Sequence, residues 1–474
     1  MHESSESNAP LSRRGLLYGA AAASFAVPLL GACAGQRQTR EGAGLPPGRP
    51  ISRPIRVGLV GCGGRGTGAA FNALASRSAE ARLVAVGDLF PGRIEGSLAG
   101  LERQLAATWA GPGVSAADGS VSYPPGVLEA ATARARERID VPLGRRFVGF
   151  DAFQKVIDAG VDLVILTTPP AFRPAHLDYA VERGVHSFCE KPMAVDVPGV
   201  HRVIAASERA RERGLSVLAG FCWRYKAGHQ AFYRELLDGR IGDVRAVYTN
   251  YNTGEIGTHT RQPGWSDVEW QVRNWHHFDW LSGSHLVEQA CHSIDLMSWA
   301  FDDREPLSVV AVGGQATRSG PEAGNCFDHH SAVFDYPDGA KGFHMSRQWA
   351  NTDGEKNNYY FGSRGQGWLE NWTPRYELAG SRTWRFEGDT GDDMYQNEVD
   401  VLLAALRSGR PINHGERMAR STLLAIMARL AASTGKVVTW SQALESTERL
   451  GPASLAFGAY EPGPLPVPGR TPLV

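Results

Sequence analysis

One local pattern limits what this chain can become. Ile55-Arg56-Val57-Gly58-Leu59-Val60 has the composition and length of a buried strand, it opens directly onto Gly61-Cys62-Gly63-Gly64-Arg65-Gly66, and a helix-compatible stretch, Thr67 to Ala75, follows. A G-x-G-x-x-G string alone is weak evidence. Between a buried strand and a helix each glycine has a physical reason: Gly61 permits the tight turn, Gly63 lets the backbone approach a pyrophosphate, and Gly66 lets helix and strand pack closely. The unpaired N–H groups at the helix start then face the phosphates. A second strand, Ala81 to Gly87, closes a βαβ unit and ends at Asp88. A carboxylate there accepts hydrogen bonds from both ribose hydroxyls and repels a 2′-phosphate, so NAD is the expected cofactor. Arg93 would meet a 2′-phosphate if its loop folds back, which keeps NADP open. The competing reading is a structural Gly-rich turn with Asp88 as a solvated strand end.

The alternation pauses over Gly96 to Phe147, an elaboration of helix-like, Arg- and Glu-bearing segments around a Gly/Ser/Pro stretch, and then resumes. Phe153 to Ala159 reads as a helix, Asp162 to Pro169 as a strand ending in a loop, His176 to Arg183 as a helix, and Val185 to Cys189 as a strand opening onto Glu190-Lys191-Pro192. In an open α/β sheet, ligands bind beyond the carboxyl ends of the strands. The expected cofactor-binding set is therefore Gly61, Cys62, Gly63, Gly64, Arg65, Gly66, Asp88, Thr167, Thr168, Pro169, His176, Glu190 and Lys191.

At 474 residues the chain is too long for one ordinary core, so two domains behind a leader are expected. A formal net charge of −1 leaves no basic surplus to neutralise a phosphate backbone, so nucleic acid is not an expected partner. Ser12-Arg13-Arg14-Gly15-Leu16-Leu17 places twin arginines before an apolar run that ends at Leu30-Gly31-Ala32-Cys33. That order reads as a Tat signal with a lipoprotein cleavage box, Cys33 becoming the lipidated first residue of a periplasmic or cell-envelope protein; an uncut N-terminal anchor is the alternative. Residues 34–53 are then a tether, 54–191 a dinucleotide-binding domain and 192–474 a substrate and oligomerisation domain. The other cysteines are scattered and odd in number, so neither a disulfide framework nor a zinc site is expected, and no metal is assigned.

In the second half, Arg245 to Tyr251, Ser308 to Gln315, Ser331 to Phe334, Gly342 to Gln348 and Asn358 to Phe361 are strand-like, while Met394 to Leu406 and Met418 to Ala432 have helical periodicity. The Gly loop, Asp88, Thr168-Pro169-Pro170-Ala171-Phe172-Arg173-Pro174, Glu190-Lys191-Pro192, Gly220-Phe221-Cys222-Trp223-Arg224-Tyr225, Glu288-Gln289-Ala290-Cys291-His292-Ser293-Ile294-Asp295 and Ser433-Thr434-Gly435-Lys436 occur in an order that resembles the Gfo/Idh/MocA family of sugar oxidoreductases. The resemblance spans roughly residues 54 to 440. It implies an α/β chain: an N-terminal Rossmann domain and a C-terminal α+β domain with an open, mostly antiparallel sheet that assembles homo-oligomers. It also implies a catalytic lysine, here Lys191, and a histidine, here His292, preceded by an aspartate whose place is taken by Glu288.

A carbinol loses a hydride only if its hydroxyl proton also leaves, so a base near neutral pKa is needed, and His292 is the candidate. Lys191 would stabilise a developing alkoxide. Glu288, His292 and Asp295 are spaced i, i+4, i+7 and would share one helical face. Glu288 then orients His292, contacts the sugar or balances Lys191, and Asp295 is structural. A buried core histidine is the bland alternative for His292. Tryptophans recur at 265, 270, 275 and 280 with His276 and His277 among them. Every fifth residue is neither strand nor helix period, so the segment reads either as packing or as an aromatic loop over a sugar cleft.

The expected activity is oxidation or reduction of a sugar or cyclitol hydroxyl. The alternatives are a redox-neutral glycoside hydrolase or lyase acting through a transient keto-sugar, and a non-catalytic sugar-binding protein. An exported enzyme meets no ordinary dinucleotide pool, so the cofactor is expected to stay bound and to be recycled within the site.

Overall fold

The computed structural model describes residues 45–115, 121–371 and 374–474. Arg13, Arg14, Cys33 and most of the expected tether lie outside the described residues. The tether's last residues are not free chain: Gly48 and Ile51 donate backbone hydrogen bonds to Gly409 and Leu406, and Arg407 donates to the Ile51 carbonyl.

Six strands form a parallel sheet among the described residues: β1 (Ile55–Val60), β2 (Ala81–Asp88), β3 (Arg146–Val148), β4 (Leu163–Leu166), β5 (His186–Cys189) and β6 (Val217–Ala219), in the order β3-β2-β1-β4-β5-β6. Helices α1 (Gly64–Ala75), α2 (Pro91–Ala110), α3 (Arg173–Glu182) and α4 (Val197–Glu212) pack around it. Burial on both faces explains the continuous apolar run of β1, in which Val57, Leu59 and Val60 are all buried. The strand order reverses between β1 and β4, so the loops leaving these two strands diverge and leave a crevice between them.

The sheet does not stop at residue 191, the boundary expected from the sequence. Strand β6 joins it after α4 and is only three residues long, too short to carry a periodicity. The chain also returns much later: α7 (Met394–Ser408) packs on α1 and sends Leu402 and Leu403 into the same core as β1.

The second sheet holds nine strands among the described residues: β7 (Val244–Thr253), β8 (Ser308–Gly314), β9 (His329–Asp335), β10 (Lys341–Gln348), β11 (Asn357–Gly362), β12 (Gly365–Glu370), β13 (Arg375–Ala379), β14 (Thr383–Arg385) and β15 (Val438–Thr439). Their order is β14-β13-β12-β11-β7-β10-β9-β8-β15, and only β7 and β10 pair in parallel. Helices α5 (His285–Glu288), α6 (Cys291–Ala300) and α8 (Gly415–Thr434) cover one face. The strands alternate accordingly: Val309 and Ala311 point into the core while Val310 and Val312 are exposed.

Candidate active site

A cavity of about 630 Å³ opens where the Gly loop, the ends of β4 and β5, the end of β7 and the α5–α6 segment meet. Its size suits a cofactor with a small substrate.

On the dinucleotide side the wall is mostly main chain. Gly61 has φ +96°, and a Cβ there would lie 2.8 Å from the Thr168 nitrogen; a Cβ on Gly66 would collide with the Gly61 carbonyl oxygen. At Gly63 and Gly64, by contrast, no atom lies within 4 Å of where a Cβ would stand, so the backbone is bare toward open space. The first N–H groups of α1 lack intrahelical partners and adjoin that space. Glycines where a side chain would fill the space, beside a helix start, are the cradle a pyrophosphate requires, and the residues present fit the group.

Asp88 does more than line the cavity. Its Oδ2 accepts the Cys62 N–H at 2.7 Å and its Oδ1 the Phe90 N–H at 2.9 Å, fixing the Gly loop to the end of β2. Burial raises its pKa, opposed by these N–H groups and by Arg93, which lines the same end of the cavity. Cys62 takes part only through its backbone. Its side chain is buried and turned toward Gly87, and it is absent from the cavity wall.

The other residues named for this side line the same cavity or its loops, several of them with their polar atoms already engaged. Thr167 Oγ1 donates to the Gly61 carbonyl at 2.7 Å and so pins the Gly loop. Arg65 is held by Glu190 at 2.5 Å and by the buried Glu398 of α7 at 2.9 Å, a clamp from the loop to two distant segments. Glu190 also accepts the Lys191 N–H at 3.0 Å. Thr168 and Pro169 line the cavity, and Thr168 Oγ1 lies 3.4 Å from His176 Nδ1. His176 stacks on Phe153, and burial pushes it down to about 3, so it is neutral at ordinary pH. Arg173, which the sequence reading left out of the site, donates to the carbonyls of Thr168 and Pro192 and ties the two cofactor-side loops together.

Across the cavity the wall is made of side chains. Lys191 Nζ donates to the Glu288 carbonyl at 2.6 Å and to Glu288 Oε1 at 3.2 Å, with both side chains nearly buried. Burial is the largest single effect on Lys191 and works against its charge, but Glu288 together with Cys291, Glu190 and Tyr251 outweighs it and the pKa is raised; for Glu288 burial works upward, and Lys191, His276 and His285 bring the net shift down. The pair is ionised together.

His292 lies near the rings of Phe221 and Trp223 at 5.9 and 5.0 Å between centroids, and its Nδ1 is buried without a hydrogen-bond partner. Burial, then Lys191 and Arg65, hold its pKa well below the ordinary imidazole value. The expected continuous helical face does not form. Helices α5 and α6 are separated at Gln289-Ala290, and Glu288 bonds to Lys191, not to His292. Of the three roles open to Glu288, the observed contact is the balance of Lys191. Asp295 points away into a buried ion pair with Arg224, Oδ2 to Nε 2.8 Å, and accepts from Ser421 at 2.7 Å.

Tyr251, Gln289 and His276 also reach this wall. The tryptophan segment resolves into packing and site. Trp270 and Trp280 are buried in a cluster of their own with Phe172 and Phe278, while Trp275 and His276 line the cavity.

A doubly wound parallel sheet with a bare glycine cradle at its switch point, joined to an open mixed sheet whose covering helix α5 brings Glu288 against Lys191 from the end of β5, defines a two-domain dinucleotide-binding protein. Residues 126–220 match the family described as an oxidoreductase family with an NAD-binding Rossmann fold, and residues 229–384 match the GFO/IDH/MocA C-terminal domain. The chain belongs to the Gfo/Idh/MocA family, and its cofactor is NAD. It is 26% identical over 179 residues to a 2,7-anhydro-N-acetylneuraminate hydratase of Escherichia coli, a match spanning 38% of this chain and 44% of that protein, less than half its length. It is 26% identical over 284 residues to a myo-inositol dehydrogenase, Hyg17, of Streptomyces leeuwenhoekii, over 59% of this chain and 79% of that one. Among solved structures it shares its fold with an aldose–aldose oxidoreductase from Caulobacter crescentus, at TM-score 0.60 and 20% identity over 82% of this chain and all of that one.

Proposed function

We propose that the protein is an NAD-dependent oxidoreductase acting on a hydroxyl of a sugar or cyclitol, with the dinucleotide kept in place through turnover. The observation that carries this reading is the meeting, in one cavity, of the glycine cradle with the Lys191–Glu288 pair and two imidazoles, His276 and His292. Gly61, Gly63, Gly64 and Gly66 with Asp88 would hold the dinucleotide; when bound, it supplies the two-electron oxidant. Lys191, kept charged by Glu288, would donate to the substrate oxygen and favour the developing alkoxide. An imidazole would take the hydroxyl proton. The aromatic walls around Trp275 and Tyr251 suit the apolar faces of a ring sugar. The relatives that act on inositol and on aldoses, as their names state, support this substrate class.

Export by the twin-arginine leader, with lipidation at Cys33, would separate the protein from free dinucleotide. The cofactor would then be loaded before export and regenerated by a second substrate. A redox-neutral elimination or hydration through a keto-sugar is the second reading, favoured by the likeness to a hydratase. The two part on products: the first needs two substrates and converts both, the second converts one with no net oxidation. Mixing purified holoprotein with a panel of polyols, aldoses and glycosides while following nicotinamide absorbance and products tests both. Failure of every compound to change the nicotinamide signal would sink the oxidoreductase reading.

The expected homo-oligomer fits the outer face of the second sheet. Val310, Val333, Phe343, Tyr248 and Tyr359 stand opposite one another across five adjacent strands, and Val310 and Phe343 are exposed. A second copy of the chain would cover this row, which light scattering measures directly.

A further inference from the structure

Two imidazoles face the Lys191–Glu288 pair, and their surroundings differ. His276 sits in the short turn Trp275–His277, its ring stacked on Trp275 at 3.6 Å between centroids. Its Nε2 lies 4.0 Å from Glu288 Oε2. That oxygen is buried and has no hydrogen-bond partner, because Lys191 takes Oε1. A buried carboxylate oxygen without a donor is costly, and a proton on His276 Nε2 would give it one after a shift of about 1 Å, from 4.0 Å to hydrogen-bond distance. His292 has no such partner. The charged groups acting on it are Lys191 and Arg65, both cationic, and its other neighbours are the rings of Phe221 and Trp223. A proton placed there would be repelled by both cations.

We infer that His276, carried by the tryptophan segment, is the proton acceptor of this cavity, with Glu288 as the group that holds the resulting imidazolium, and that His292 remains a neutral hydrogen-bonding group for the substrate. The inference rests on reading the cavity as one that oxidises a carbinol. In that reaction the C–H hydrogen leaves with its electron pair to the dinucleotide, the C=O bond forms, and the O–H proton ends on His276 Nε2. The reverse direction returns the same proton. The assignment explains why the extra methylene of Glu288 is useful: one oxygen stays on Lys191 while the other reaches toward His276. The groups acting on His276 are few. Burial lowers its pKa, Glu288 raises it, and Lys191 and Arg318 lower it, while His277 beside it is itself lowered to about 4 by burial and is neutral.

The test is titration of the histidine ring signals by NMR in 15N-histidine-labelled holoprotein, assigned with His276→Gln and His292→Gln. His276 should protonate at higher pH than His292. Glu288→Gln should lower the His276 pKa by about one unit or more, the scale of one close charge, and leave His292 where it was. Since that variant leaves Lys191 unpaired, Glu288→Asp serves beside it: shortened by one methylene, it should also lower His276. A His292 that protonates first, or a His276 indifferent to both substitutions, overturns the inference. With a polyol that changes the nicotinamide signal, His276→Gln should slow that change about a hundredfold and remove the acid limb of the pH profile. His292→Gln should instead raise KM and keep that limb. If no polyol changes the signal in the wild type, the oxidoreductase reading fails while the titration still decides the pair.

Discussion

Along the dinucleotide wall the decisive contacts are made by backbone: bare glycines, the start of α1, and carbonyls held by Thr167 and Arg173. Across the cavity the groups that matter are titratable side chains drawn from Lys191, the tryptophan segment and α5, and each bears on the protonation of the next. A wall of backbone fails all at once when a Cβ is added in the wrong place. A wall of coupled charges fails by degrees, and its failures depend on pH.

The largest effects should therefore come from the glycines. Gly66→Val drives a side chain into the Gly61 carbonyl and should abolish folding of the loop together with dinucleotide binding, seen as loss of bound dinucleotide and a lower Tm. Gly63→Val sharpens the contrast. No protein atom lies within 4 Å of its Cβ position, so the protein should keep the Tm of the dinucleotide-free wild type and still fail to bind the dinucleotide. A Gly63→Val protein that retains cofactor would show that the pyrophosphate lies elsewhere.

Next in size is the ion pair. Lys191→Met leaves Glu288 buried without its cation and should cost about 3–5 kcal/mol of stability, measured by denaturant unfolding, as well as turnover. The pair's own contribution follows pH. Glu288 is depressed in the fold, so its stabilisation is present above the unfolded carboxylate value, about 4.3, and is lost as pH falls through the lower folded value. Lys191 is raised, so its share is present below about 10.4 and is lost only as pH rises through a folded value above that. The Tm difference between wild type and Glu288→Gln should accordingly be flat across neutral pH and shrink in acid below about pH 4. A difference that grows in acid would mean that Glu288 is not ionised in the fold.

Smaller again are the tryptophans. Trp280→Phe removes a hydrogen bond to Gln271 and part of a buried ring, and should lower stability by about 1–3 kcal/mol with little change in KM. Trp275→Phe, at the cavity wall, should do the reverse and raise KM a few-fold.

The same contrast explains what could be read in advance. The Gly loop, Asp88 and the ends of β4 and β5 are local: each is a strand run followed by its turn, and periodicity plus glycine sterics place them. The long strands of the second sheet and the helices from Met394 and Met418 also announce themselves by period. Strand β6 does not, because three residues hold no pattern, and neither does the return of α7 to the first domain, a contact between Arg65 and Glu398 across the length of the chain. The i, i+4, i+7 spacing of Glu288, His292 and Asp295 suggests one helical face. The backbone breaks at Gln289-Ala290, and each carboxylate follows its nearest cation instead, Glu288 to Lys191 and Asp295 to Arg224. His276 stood in view inside the tryptophan repeat, but its meaning depends on Glu288, which no local pattern links to it.

Whether a dinucleotide stays in the glycine cradle through turnover is decided by denaturing the freshly purified, untreated protein and quantifying what it releases. The expected release is close to one equivalent of NAD or NADH per chain, with slow exchange against added labelled NAD and little stimulation of turnover by added cofactor. Folded protein that is empty as isolated, and that turns over only with added NAD at about millimolar levels, the upper range of ordinary KM values, would contradict it.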